Sequence, residues 1–190
     1  MDPRSRPRRF TPSRCSIDGC ELPALAGAPL RLSYRAPLLV RRGVLAVRHG
    51  EEVHAASFLR QRLIVLDAAL RRQPGEWRRI LVHELFHFAW LRLGNPARAS
   101  WRALLARELA ARARGELGWS AEWRKRLLTP ADLRRSSARW RDYSCEAFCD
   151  TAAWLYAGLS RHEEFTLSRS WRKPRRLWFI QQFGDRAIPL

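Results

Sequence analysis

The spacing of apolar positions changes near residue 67, and this change divides the chain into a strand-forming part and a helix-forming part. In the first part, short apolar or alternating runs are separated by Pro, Gly and charged residues, which predicts three or four strands. These runs are residues 30–34, 44–47, 55–59 and 63–66. Because the strands come first and the helices follow, the pattern predicts an α+β fold with a small sheet and not a doubly wound parallel fold.

The second part shows helical periodicity with clear stop signals. Residues 78–93 are predicted to form one helix, which a Gly-Asn-Pro run ends. Ala, Arg, Leu and Trp dominate residues 97–142, as in amphipathic helices, and a Thr-Pro pair within them has the form of a helix cap. Another helix is predicted over residues 144–159, and the capping-box pattern of residues 160–163 predicts that a further helix starts there.

The length of 190 residues favours a single domain. Residues 1–28 are rich in Arg, Pro, Gly and Ser and show no periodicity, which predicts a flexible basic leader. Residues 29–190 are predicted to form the one domain, with residues 97–142 as an Arg- and Trp-rich helical insert. No run approaches the roughly 18 uncharged apolar residues of a membrane-spanning helix, and no apolar segment follows the basic start, so we expect a cytoplasmic protein without membrane contact.

The formal net charge is +18, from 36 basic and 18 acidic residues. Such an excess attracts phosphate backbones and anionic surfaces. The arginines are spread over nearly every segment, which favours a solvated basic surface, and any nucleic-acid contact is expected to be non-specific. Four cysteines are too few for a disulfide framework, and we expect small buried thiols, with a cysteine metal site as the alternative.

Candidate chemistry lies in the first predicted helix, where residues 83–87 form an HExxH motif. Two residues four apart lie on one face of a helix, so the imidazoles of His83 and His87 can reach one metal ion. Glu84 projects beside them and can accept a proton from a water that zinc activates. The helix is apolar nearly all round, and buried imidazoles need a partner such as a metal. The alternative is a pair of hydrogen-bonded core histidines.

A zinc hydrolase site needs a third protein ligand and one position for water. Glu146 is the downstream candidate, and Asp150 lies on the same face of its predicted helix, one turn further on. Ala153 and Ala157 continue this face with small side chains, which would let the two helices approach closely. Asp150 is then expected to accept from one imidazole and fix its tautomer. The alternative, an acidic pair facing solvent, is disfavoured by the apolar residues around it.

The sequence combines an HExxH motif with a Glu on a later predicted helix and an Asp four residues after that Glu. This combination resembles the pattern of gluzincin metallopeptidases. The compact form, with a strand at residues 62–67 just before the helix, resembles the minigluzincins and the ImmA/IrrE-like bacterial metallopeptidases over roughly residues 54–160. The resemblance implies a zincin-like fold, in which a small N-terminal mixed sheet packs on several helices. It implies that Zn²⁺ is bound by His83, His87 and Glu146, that Glu84 is the general base, and that Asp150 orients a ligand.

The function expected from this resemblance is zinc-dependent hydrolysis of peptide bonds in a peptide or protein. We expect the substrate to add as a strand beside the one that ends near Asp67. Tyr143, Tyr156 and His162 are candidate donors to the oxyanion, and spacing selects none of them. The alternative is a zincin fold used as a non-catalytic or latent module for binding or regulation, with non-specific nucleic-acid contact or with the leader blocking the cleft.

Overall fold

A computed structural model describes residues 8–10, 19–41, 44–46, 51–184 and 186–190. Its strands are β1 Arg8–Phe10, β2 Leu25–Ala26, β3 Leu30–Arg35, β4 Leu39–Arg41, β5 Val44–Ala46, β6 Glu51–Glu52, β7 Ala55–Phe58, β8 Leu63–Asp67 and β9 Ile188–Pro189. Its helices are α1 Pro74–Arg92, α2 Asn95–Ala110, α3 Trp119–Arg126, α4 Pro130–Arg134, α5 Ala138–Tyr156 and α6 Arg169–Phe183. Eight strands precede the described helices, which confirms the predicted α+β class.

The sheet beside the helices is small and mixed, as predicted. Its four strands have the order β1-β3-β8-β7, in which β3 and β8 are parallel and the other pairs are antiparallel. The expected substrate position beside Leu63–Asp67 is wrong, because β8 has a partner on each side and offers no free edge. Among the described residues, β7 pairs only with β8 and forms the edge of this sheet.

Two smaller sheets complete the strand-rich part. β4 pairs with β5 and β6 in an antiparallel sheet, and β2 pairs in parallel with β9 near the end of the chain. Leu25 of β2 is only 4% exposed and packs in the main core. Residues 25 and 26 therefore belong to the folded body, although the predicted leader runs to residue 28. Residues 1–7 and 11–18 of that leader lie outside the described residues.

Helix α1 is buried on most of its surface because it packs between the sheet and α5. It begins at Pro74, one turn before the predicted start, since proline fits the first turn of a helix, where its missing N–H costs nothing. It ends at Arg92, within one residue of the prediction. The apolar residues found all round this helix are thus explained by neighbours on both sides.

Helix α5 begins at Ala138, six residues before the predicted start, and the Ser137 side chain caps it by accepting from Trp140 N–H. Its face toward α1 carries Ala153, which is fully buried, as is Ala157 just after the helix end. The predicted close approach of the two helices is confirmed. Phe148 of α5 stacks on Phe179 of α6, with 5.0 Å between the ring centroids. Both rings belong to an aromatic core shared by α1, α2, α5 and α6.

The predicted helix starting at residue 160 is wrong, because α6 begins only at Arg169. The preceding segment runs beside Glu116, whose carbonyl oxygen accepts from the N–H groups of Thr166 and Leu167 at 2.8 Å each. These tertiary hydrogen bonds and the burial of Leu167 hold the segment out of helical conformation. No helix in the described part of the chain is both long enough and apolar enough to cross a bilayer.

Candidate metal centre

Helix α1 places two imidazoles side by side, one turn apart. The Nε2 atoms of His83 and His87 are 3.1 Å apart, and the ring planes are inclined by 75°. At this distance the two atoms can share one proton but cannot each carry one toward the other. The two Nε2 atoms therefore face a common point, as metal ligands do.

Helix α5 brings the carboxylate of Glu146 to the same point. Its Oε2 atom is 3.3 Å from Nε2 of His83 and 4.0 Å from Nε2 of His87. A point equidistant from these three atoms lies about 2 Å from each, which is the bond length of zinc to imidazole nitrogen and carboxylate oxygen. The separations of the three donor atoms are therefore compatible with one zinc ion.

The charge of Glu146 is held by its neighbours. Burial alone would raise its pKa, but a hydrogen bond with His83 and the positive charges of His87 and Arg124 hold the pKa at about 2. Arg124 of α3 contributes directly, with Nη2 at 3.3 Å from the second carboxylate oxygen, Oε1. Glu146 is therefore ionised at neutral pH and can bind a cation through Oε2.

Asp150 lies one turn after Glu146 and holds the far side of His83. Its Oδ1 atom accepts from Nδ1 of His83 at 2.7 Å, so that Nε2 is the ring nitrogen that faces His87 and Glu146. Its Oδ2 atom accepts from the Ala121 N–H at the start of α3, at 3.0 Å. Gly118 makes this contact possible, because any side chain there would overlap the Asp150 carboxylate. Burial lowers the pKa of His83, but Asp150 and Glu146 outweigh it and raise the pKa well above its usual value.

The second histidine has a sulfur partner that the sequence analysis did not assign. Nδ1 of His87 lies 3.5 Å from Sγ of Cys145, the residue before Glu146. A hydrogen bond from Cys149 and the adjacent His87 lower the pKa of Cys145 to about 6. Cys145 thus contacts Nδ1 of His87 in the same way that Asp150 contacts Nδ1 of His83.

Cys149 is an alternative third donor. One ligand atom from each of His83, His87 and Cys149 can be chosen so that all lie within 4.8 Å of one another. Burial raises the pKa of Cys149 well above its usual value, so its thiol keeps its proton at neutral pH. Glu146 is the better donor, since it is already ionised and its Oε2 atom lies 3.3 and 4.0 Å from the two Nε2 atoms.

Glu84 lies on α1 next to the histidines and faces the same cleft. The hydroxyl of Ser57, on the edge strand β7, donates to its Oε2 atom. This contact fixes the orientation of a buried carboxylate and leaves Oε1 outside the hydrogen bond with Ser57. Ser57 carries no motif, so only the packing of β7 on α1 reveals it.

The cleft has a volume of about 590 Å³ and lies beside the start of the edge strand, where Ala55 of β7 lines it. Strand β7 and helices α1, α3 and α5 contribute to its walls, together with residues just before β7. The lining residues include His54, Ala55 of β7, His83, Glu84 and His87 of α1, Trp119, Ser120 and Arg124 of α3, and Glu146 of α5. A groove of this size can hold several residues of an extended peptide. Arg124 was not among the candidates from sequence, because nothing in the pattern of residues 97–142 distinguishes it from the other arginines.

The three oxyanion donors proposed from sequence all have other partners. The Tyr143 hydroxyl donates to Oε1 of the buried Glu116 at 2.7 Å, and the Tyr156 ring stacks on Phe86. Nε2 of His162 lies 2.9 Å from Oε2 of Glu76. None of these three side chains lines the cleft.

Comparisons with protein-family models, with curated proteins and with solved structures gave no match to this chain.

Proposed function

We propose that this protein is a zinc-dependent metallopeptidase of the gluzincin type with a zincin-like fold. The observation that carries the proposal is the convergence of His83, His87 and Glu146 on one point, beside Glu84 and in an open cleft. Zinc bound by these three residues would supply a Lewis acid that polarises the peptide carbonyl and lowers the pKa of a water molecule toward neutrality.

Glu84 acts as the general base. It accepts the proton of the attacking water and delivers it to the amine that leaves when the peptide bond breaks. The Ser57 hydroxyl supports this role, since it holds Oε2 in place and so aims Oε1 at the reacting atoms. Asp150 keeps the proton of His83 on Nδ1 and so keeps Nε2 available as a ligand.

The substrate is an extended segment of a peptide or protein that adds to the edge of β7. Main-chain groups on the outer side of this strand provide the hydrogen bonds, and His54 and Ala55 of the same region line the cleft. Arg124 provides the positive charge that stabilises the oxyanion, because its guanidinium reaches into the cleft beside Glu146.

Replacing Glu84 with glutamine tests the proposal. The change preserves size and removes the base, so zinc content should be unchanged while hydrolysis of an unfolded protein falls by about 10² to 10⁴-fold. The exposed Glu163→Gln is the matched control and should retain full activity. Activity of Glu84→Gln equal to that of the wild type would refute the assigned base.

Zinc content of His83→Ala/His87→Ala, measured by elemental analysis, tests the ligands in the same preparation. Full occupancy in this double variant would refute the metal centre. If wild type and Glu84→Gln both bind zinc and are equally inactive on a broad substrate panel, the alternative of a zincin fold used for binding is favoured.

A further inference from the structure

A second cleft lies between the C-terminal part of α5 and the N-terminal half of α6. It has a volume of about 600 Å³ and shares no lining residue with the cleft at the candidate metal centre. Four cations of α6 line it, together with Trp154 of α5. These cations are Arg169, Arg172, Lys173 and Arg176, and we refer to them as the α6 cation cluster.

The α6 cation cluster is a concentration of like charge that destabilises the helix by itself. Successive turns of the helix carry Arg169, then Arg172 and Lys173, then Arg176, so the pairs that are three or four residues apart are neighbours on one face, where like charges repel. No carboxylate in the described part of the chain lies within 4 Å of the charged groups of Arg169, Lys173 or Arg176. Burial and the charge of Arg169 lower the pKa of Arg172, as expected for a cation without a counter-charge. An anionic ligand would relieve this repulsion.

Two of the three guanidinium groups in this cluster are already fixed in position. Nε of Arg172 donates to the Leu167 carbonyl at 2.6 Å, and its Nη2 donates to the carbonyl of Phe165. The guanidinium carbons of Arg172 and Arg176 lie 5.9 and 4.8 Å from the ring centroid of Trp154. Because those two hydrogen bonds use Nε and Nη2 of Arg172, its Nη1 group and the guanidinium of Arg176 are the donors left for a ligand, and guanidinium donors match the oxygens of a phosphate group.

The rest of the cleft wall is part apolar and part polar. Leu155 and Leu159 line it beside the Trp154 ring, Gly158 and Ser160 complete it, and Glu21 is the one carboxylate among its described lining residues. The volume lies within the range of small-molecule sites. Two leucine side chains next to fixed cations suit a ligand with a flat hydrophobic part and a strongly anionic part.

We propose that this cleft binds a nucleoside polyphosphate. The phosphates bind the α6 cation cluster, the base lies against Leu155 and Leu159, and the Glu21 carboxylate accepts from a sugar hydroxyl or a base amino group. A single nucleotide fits better than a nucleic-acid strand, since these four cations converge on one cleft and do not form a track. The proposal is independent of the metallopeptidase assignment, because the two clefts have no residue in common.

Binding of a fluorescently labelled ATP to the full chain, followed by anisotropy, tests the proposal. Lys173→Gln/Arg176→Gln removes two cations of the cluster and should weaken binding by at least about tenfold, as expected for the loss of charge-assisted hydrogen bonds. The control Arg134→Gln/Arg135→Gln removes the same charge from exposed positions outside the cleft. It should change the dissociation constant by less than about twofold, and thermal melting should confirm that both variants fold.

Competition with unlabelled ligands identifies the chemistry that is recognised. Unlabelled ATP should displace the probe at least about tenfold more effectively than inorganic tripolyphosphate, because burial of the base adds apolar contact. The proposal would be overturned if tripolyphosphate displaced the probe as well as ATP does, or if a single-stranded oligonucleotide displaced it better. It would also be overturned if the cluster variant and its control lost the same affinity for the probe. Glu84→Gln should bind the probe as the wild type does, so loss of peptidase activity and loss of nucleotide binding are distinguishable.

Discussion

Replacing Asp150 with asparagine should weaken zinc binding through an effect on hydrogen bonding alone. Both partners of this carboxylate are donors, namely Nδ1–H of His83 and the N–H of Ala121. Asparagine has the same shape but only one accepting oxygen, and its amide group turns N–H donors toward the other partner. One of the two hydrogen bonds must therefore be lost, and a donor then faces a donor in a buried position.

The magnitude follows from that loss. A buried donor left without an acceptor costs about 1 to 3 kcal/mol. Where the lost partner is His83, the imidazole can move its proton to Nε2 or rotate away from the Glu146 carboxylate. Changes at groups that hold a metal ligand in place typically reduce metal affinity by about 10 to 100-fold. We expect a loss in this range for Asp150→Asn and a greater loss for Glu146→Ala, which removes a donor atom itself.

Competition for zinc with a chromophoric chelator at fixed pH measures this effect. The control is Asp142→Asn, which makes the same chemical change at an exposed position of the same helix and should leave zinc affinity unchanged. Circular dichroism should confirm equal helix content in all proteins. A zinc dissociation constant for Asp150→Asn within about twofold of the wild-type value would refute the role given to this carboxylate. If Asp150→Asn and Glu146→Ala lost the same zinc affinity, the two carboxylates would share the ligand role.

Two further predictions concern stability. In metal-free protein, Glu146 has a pKa of about 2 against an ordinary value of 4.5, so its ionised form stabilises the fold above pH 4.5 and this contribution disappears as the pH falls through 2. The free energy of unfolding by urea should therefore fall by about 3 kcal/mol more in wild type than in Glu146→Gln over that interval, and parallel profiles would contradict this. Arg175→Met should destabilise the protein by about 3 to 5 kcal/mol, because buried Arg175 pairs with the buried Glu108 and Glu116 at 2.6 and 2.8 Å. Exposed Arg176→Met is its control, and equal urea midpoints for the two variants would refute the importance of the buried pairs.

Local pattern was enough to predict the helices that contact their neighbours along their whole length. The apolar residues around 78–92 predict α1 because every side of that helix meets either the sheet or α5. Residues 160–168 were predicted wrongly because their conformation depends on a distant partner, the Glu116 carbonyl. A capping-box pattern cannot indicate a hydrogen bond to a residue so far away in sequence. The edge position of β7 is likewise a property of strand order, which the apolar pattern does not contain.

The same distinction applies to the candidate site. His83 and His87, and likewise Glu146 and Asp150, were predicted because each pair has the four-residue spacing of one helical face. Ser57 and Cys145 have no such spacing relative to the groups that they contact. They become neighbours of Glu84 and His87 only when β7 and α5 dock on α1.

The register between α1 and α5 explains why three contacts form together. His83 contacts Asp150 through Nδ1, and His87 contacts Cys145 through Nδ1. The residue nearer the start of α1 thus contacts the residue nearer the end of α5, so the two helices run antiparallel. The histidines are separated by about 6 Å along α1 and their partners by about 7.5 Å along α5, which is close enough for both contacts to form at once. Glu146 lies between those partners and reaches both Nε2 atoms. A shift of α5 by one turn would therefore break all three contacts together, so the packing of small residues between these helices fixes the geometry of the candidate metal centre as well as the core.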